Sequence, residues 1–247
     1  MVKSLRRWID EDVKPFRDEP VRWLSEQYFF RDPLRPVHAD PDLFLSPADG
    51  VILYQDVLDP DEPVVDIKGC PHTIREALRD DSYAERSLVI GIFMSFYDVH
   101  VNRVPYSGRL SYRELAPIDT FNLPMLDVEH ELLDELRIPA GGSEYLRHNQ
   151  RVVNRIDVGA LHLSYYVLQI ADYDVNRITP FVLGQQQAVQ QGTRFSQIRF
   201  GSQVDLIIPL SGTHDLVPLC LPGGHVEAGV DALVRIAPKQ PGKEQSR

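Results

Sequence analysis

Leu5, Trp8, Ile9, Val13 and Phe16 recur at helical spacing with Arg6, Arg7, Asp10 and Glu11 between them, the pattern of an amphipathic helix ended near Pro15. A second short helix follows on Val21, Leu24 and Tyr28. The first helix has two readings. It rests on a membrane with Trp8 and Phe16 in the headgroup layer, or it packs on its own domain, which the acids on its polar face favour. From Arg31 to Asp49 prolines and aspartates recur (Asp32-Pro33, Arg35-Pro36, Asp40-Pro41), as in an extended connector.

After Gly50 the texture changes to short β-type runs separated by turn residues. They are Val51–Tyr54, Val64–Ile67, Leu88–Phe96, Arg109–Glu114, Ala160–Ile170, Ile198–Phe200, Val204–Pro209 and Ala232–Ile236. His72–Leu78 and Val128–Leu136 read as helical. The pattern predicts an α+β fold, mainly antiparallel strands in barrel- or sandwich-like sheets, preceded by N-terminal amphipathic helices. There is neither βαβ alternation nor a glycine-rich dinucleotide loop. Residues 1–30 read as a helical segment and 31–247 as the main domain, with a frayed polar tail after Pro238.

Composition narrows the partners. A net charge of −10 over 247 residues argues against nucleic acid, which needs a basic face. Cys70 and Cys220 lie far apart without metal or redox spacing, so buried free thiols are expected. No apolar run approaches the length that spans a bilayer, and Met1–Arg7 lacks the apolar core of a signal peptide. The expected compartment is therefore the cytoplasm, and no histidine–acid pattern calls for a metal.

Three segments carry candidate chemistry. In Arg199-Phe200-Gly201-Ser202-Gln203-Val204, a glycine precedes a serine between two β-like runs. Glycine lets the backbone twist so that the serine oxygen can approach the preceding carbonyl, although the same pair serves in ordinary hairpin turns. Ser46-Pro47-Ala48-Asp49-Gly50 is a tight acidic turn leading into a strand. In Asp98-Val99-His100-Val101-Asn102-Arg103, an extended chain would put Asp98, His100 and Asn102 on one face. That face would mount a general base or hold a structural histidine.

Together these segments resemble the phosphatidylserine decarboxylase family, in its short, soluble-looking branch. The resemblance begins at Phe29-Phe30-Arg31-Asp32-Pro33-Leu34-Arg35-Pro36 and continues through Ser46–Gly50, Ile67-Lys68-Gly69, Asp98-Val99-His100 and Pro105-Tyr106-Ser107-Gly108. Asn149-Gln150-Arg151, Val158-Gly159-Ala160, Arg199–Ser202 and Gly224–Gly229 complete it in the family's order.

The resemblance implies a proenzyme that cuts itself between Gly201 and Ser202, giving a β chain of 1–201 and an α chain of 202–247. Residues 31–247 are then the decarboxylase domain. Ser202 would become a covalent pyruvoyl group, the only cofactor needed, whose carbonyl forms a Schiff base with the substrate amine. The implied reaction turns phosphatidylserine into phosphatidylethanolamine in phospholipid biosynthesis. The alternatives are the same chemistry on a soluble, for example aromatic, amino acid, and a lipid-binding relative that never cleaves.

Asp49 matches the family's processing aspartate and His100 the histidine assigned to decarboxylation. Relatives often carry a second histidine where this chain has Arg103, so His100 would serve both steps, or His162 or His225 would come close in the fold. Arg103 is a candidate to bind a substrate carboxylate or phosphate, or else part of an ion pair. Peripheral membrane contact and self-association are further expected options, beside the pairing of the two cleaved chains.

Overall fold

The computed structural model describes residues 2–37, 39–67, 70–117, 125–138, 144–172, 178–199 and 202–239, with backbone alone at 65–67, 70–71 and 202. Nine strands form one antiparallel sheet. In chain order they are β1 (Lys3–Ser4), β2 (Gly50–Leu58), β3 (Ser87–Met94), β4 (Gly108–Leu115) and β5 (Arg151–Val158). They continue with β6 (Leu163–Ala171), β7 (Gln187–Val189), β8 (Ser202–Pro209) and β9 (Gly224–Val226). Their order across the sheet is β1-β9-β2-β3-β8-β6-β5-β4-β7. β1 and β7 are open edges, so the sheet is sandwich-like rather than a closed barrel.

The sheet is buried on both faces, and the period-two alternation of its strands divides two cores. Along β3, Leu88, Ile90, Ile92 and Met94 enter one core while Val89 and Phe93 enter the other. The first core is completed by two small sheets. One joins Ile178–Pro180, Arg194–Ile198 and Val101–Arg103; the other joins His214–Pro218, Ala232–Pro238 and Leu43–Leu45. The second core lies under helical segments that contribute Trp8, Val13, Ile74, Leu78, Val128 and Leu132.

The N-terminal periodicity folds as expected in extent, but in three short helical turns: an α-helix at Leu5–Trp8, a π-helical turn at Ile9–Val13 and a 3₁₀ turn at Lys14–Phe16. Its apolar stripe faces its own domain, with Trp8, Ile9 and Val13 buried. The connector expected over 31–49 contains the strand Leu43–Leu45. The strand expected from Ala160 starts at Leu163, because Gly159–Leu161 form a 3₁₀ turn closed by His162 at φ 53°. Cys220 is a buried free thiol, and the Cys70 side chain lies outside the described residues. Among the described residues no helix is long and apolar enough to cross a membrane.

Candidate active site

Antiparallel pairing brings the chemically interesting segments to one end of the sheet. β8 begins at Ser202, which pairs with Met94 at the end of β3 and with Ala171 at the end of β6. β2 starts at that end too, since Val51 pairs with Phe93. Asp49 therefore lies just before β2, and His100 just after β3. Gly201 and the Ser202 side chain lie outside the described residues.

Gly50 is demanded by the close approach of β2 to β3. A Cβ there would sit 2.1 Å from the Phe93 carbonyl oxygen, and its φ is +153°. Asp49, the residue before it, has a fixed setting. Its carboxylate accepts both guanidinium arms of Arg35, at 2.5 and 2.6 Å, and the Ala228 N–H at 2.7 Å. Both side chains are only 6 % exposed. Asp49 is held by an arginine and a backbone amide; neither partner is a histidine.

His100 is wholly buried and stacked on Phe29 at 4.3 Å between ring centroids. Its Nδ1 lies 3.0 Å from the Asp98 carbonyl oxygen. A carbonyl only accepts, so Nδ1 carries the proton and Nε2 keeps its lone pair. Nε2 has no hydrogen-bond partner among the described residues. Burial pushes the ring down to about 4, so the imidazole is neutral near pH 7.

Asp98 joins a second histidine to this corner. The segment 95–98 is a turn rather than the extended run expected, and only Val101–Arg103 is a strand. Asp98 Oδ1 lies 2.7 Å from His225 Nε2, and Oδ2 accepts the Ser95 N–H and hydroxyl, each at 2.8 Å. Burial pushes the Asp98 carboxyl up, yet His225 and the Ser95 donors outweigh it and hold the group below its usual range. The His225 ring stacks on Trp8 at 4.8 Å, and its Nδ1 is buried without a partner among the described residues. A cavity of about 390 Å³ adjoins these groups, lined by Trp8, Arg31, Arg35, Asp49, Asp98 and His225.

Two sequence candidates lie differently. Arg103 is buried in an ion pair with Asp32 at 2.8 Å and donates to the Gly192 carbonyl at 3.0 Å. His162 lines a separate cavity with Pro209, the last residue of β8, at the far end of that strand from Ser202. Of the two histidines considered beside His100, His225 is therefore the one at the Ser202 end.

Two carboxyl groups at this end escaped the sequence reading. Asp172 follows Ala171, the partner of Ser202, and accepts the Met125 N–H at 3.3 Å. Glu129 accepts the Phe96 N–H at 3.1 Å, two residues beyond Met94. Burial pushes Asp172 up to about 7 and Glu129 up to about 8. Both sit where the chain pattern reads as a helix or a strand end, so only the fold reveals their setting.

The sequence profile of the phosphatidylserine decarboxylase family matches residues 26–233, and the chain belongs to that family of carboxy-lyases. A phosphatidylserine decarboxylase proenzyme of Erythrobacter litoralis is 35% identical over 226 residues, which is 88% of this chain and 78% of the relative. One of Chlorobium luteolum is 30% identical, covering 84% of this chain and 77% of its own. A putative archaetidylserine decarboxylase proenzyme of Methanopyrus kandleri is also 30% identical, over 85% and 81% of the two chains. No solved structure gives a significant match.

Proposed function

We propose that this chain is the precursor of a pyruvoyl-dependent decarboxylase that acts on phosphatidylserine and is cleaved by its own Ser202. The observation that carries the reading is the neutral, buried His100, whose unpartnered Nε2 lies at the sheet end where β8 begins. In self-cleavage the Ser202 hydroxyl gives its proton to a base and its oxygen bonds to the Gly201 carbonyl carbon. The C–N bond then breaks and the nitrogen takes up a proton, leaving an ester. His100 is the proposed base: its imidazole is neutral at pH 7 with a free lone pair on Nε2, and because burial makes it a weaker base than an exposed histidine it takes the proton only as the Ser202 oxygen bonds to carbon. Asp49 is locked by Arg35 and Ala228, and its role in this reading is to hold the turn before β2 in place at this corner.

Loss of the Ser202 Cα proton then expels Gly201 as a carboxylate that carries away the serine oxygen. Water hydrolyses the resulting dehydroalanine, releasing ammonia and leaving a pyruvoyl group at the head of the 202–247 chain, where it would supply an electron sink for the carbon that loses CO₂. The residues present suit such a group: the head of β8 is backbone-paired on both sides, and the segment that follows its neighbour β3 carries a buried nitrogen without a partner among the described residues. In turnover His100 would first take up a proton at Nε2 and then return it to the substrate carbon. The remainder of the reading is that residues 1–30 form a helical cover on a catalytic domain of 31–247.

The test compares release of labelled CO₂ from phosphatidylserine in vesicles with release from free serine and free aromatic amino acids. Release from the vesicles alone supports the reading. Release only from free amino acids refutes the lipid assignment, and release from neither refutes the decarboxylase assignment.

A further inference from the structure

Asn102 occupies a position that the proposed chemistry has not used. It is wholly buried on the strand Val101–Arg103, two residues after His100. β8 lies between β3 and β6. Asn102 touches both flanking strands: its Nδ2 is 3.7 Å from Met94 Sδ, and its Oδ1 accepts from Gln169 Nε2 at 2.6 Å. Met94 pairs with Ser202 and Gln169 pairs with Val204. The carboxamide therefore straddles β8 over its first three residues.

The same group reaches the turn that carries Asp49. Asn102 Nδ2 donates to the Pro47 carbonyl at 3.3 Å, and that oxygen also accepts the Arg103 N–H at 2.9 Å. On the other side Gln169 is fixed by Asn154, whose Nδ2 donates to Gln169 Oε1 at 2.9 Å and to the Val167 carbonyl at 3.0 Å. A line of buried amides thus runs from β5 through β6, over β8, to the residue two before Asp49.

Stability alone gives no reason for it. A buried amide costs free energy unless every group is paired, and an apolar pair of the same shape holds a core equally well. One Asn102 N–H, moreover, has only a thioether for its acceptor, a weak one, and that thioether belongs to the register partner of Ser202.

We propose that Asn102 is a positioning residue for self-cleavage, aligning the start of β8 with the Asp49 turn and the His100 strand through its bonds to Gln169 and Pro47. The inference rests on the precursor reading above. Small misalignment of reacting atoms costs rate steeply, about 100-fold for 1 Å.

The test uses full-length chain and follows conversion to the two fragments with time. Asn102→Leu/Gln169→Leu removes both partners at once, so no amide of the pair is left unsatisfied. Asn102→Asp keeps the shape and replaces the donor by an acceptor. Circular dichroism and melting temperature establish the folded fraction of each, and rates are referred to that fraction. Both variants are expected to cleave at least about tenfold more slowly than wild type. Hydroxylamine, which cuts esters, should not speed them, because the ester forms slowly.

Cleavage of a folded variant at the wild-type rate overturns the proposal. So does rapid cutting of either variant by hydroxylamine, which would put the delay after the ester. If the double variant does not fold, Asn102→Asp decides by the same two readouts. Wild type that stays whole is a separate result and refutes the precursor reading itself.

Discussion

Arg35→Met removes one half of an enclosed ion pair at the candidate site. The two side chains are each 6 % exposed, and both guanidinium arms meet the Asp49 carboxylate. Arg35 also donates to the Ala228 carbonyl at 2.6 Å, so the substitution frees that oxygen as well. Asp49 keeps one donor, the Ala228 N–H. Breaking a buried pair from one side leaves an uncompensated charge, and the expected loss is about 3–5 kcal/mol. Asp49→Leu in the Arg35→Met background removes that charge and should recover part of the loss, giving a coupling of about 1–3 kcal/mol. The measurement is urea unfolding in a Ser202→Ala background, where a single uncut chain is expected. A loss below about 1 kcal/mol, the range of solvent-exposed pairs, would refute the argument that this pair is sealed from water.

Three further outcomes follow from the geometry. Gly50→Ala drives a methyl group into the Phe93 carbonyl at 2.1 Å, so the precursor should lose about 2 kcal/mol or more and cleave poorly; a stable, fully cleaving variant contradicts the close approach. Asp172 holds its proton up to about pH 7 in the fold and gives it up near 4 when unfolded. Its contribution to stability is therefore present at low pH and is lost as pH rises from about 4 to about 7. Asp172→Asn should flatten that decline in urea midpoints, and equal slopes in the two proteins refute the assignment. After cleavage the 202–247 fragment should stay bound to 1–201 on gel filtration, because β8 is paired to β3 and β6 along its length; separation without denaturant would contradict this.

The fold was legible wherever apolar alternation was clean. The runs at Leu88–Phe96 and Val204–Pro209 became the two central strands β3 and β8, shifted by at most two residues at either end. β5 was not anticipated, because Arg151, Asn154, Arg155 and Asp157 break its alternation. Arg151 is nonetheless buried, donating to the carbonyls of Glu76 and Ala77. β9 was invisible for another reason: three residues are too few to show a period.

At the site, the sequence suggested Asp49, His100 and Ser202 as separate segments, and strand register explains how they reach one end of the sheet. Long-range partners were out of reach. Arg35 and Asp49 are 14 residues apart, Asp98 and His225 are 127 apart, and nothing local in either segment marks its mate. The shared face foreseen for Asp98, His100 and Asn102 assumed extended chain. A turn at 95–98 replaces it, and that turn brings the Asp98 carboxylate to His225 while its carbonyl reaches His100.

The central claim is that Ser202 cuts the chain before itself and becomes the reactive group. The intact mass of the purified protein tests it most directly, measured with and without a carbonyl reagent and beside Ser202→Ala. The account predicts two fragments, 1–201 and 202–247, the second adding one equivalent of the reagent at its head, with Ser202→Ala whole at about the 28.2 kDa of the full chain. A wild-type protein found whole at that mass, or cut at any other bond, would contradict it.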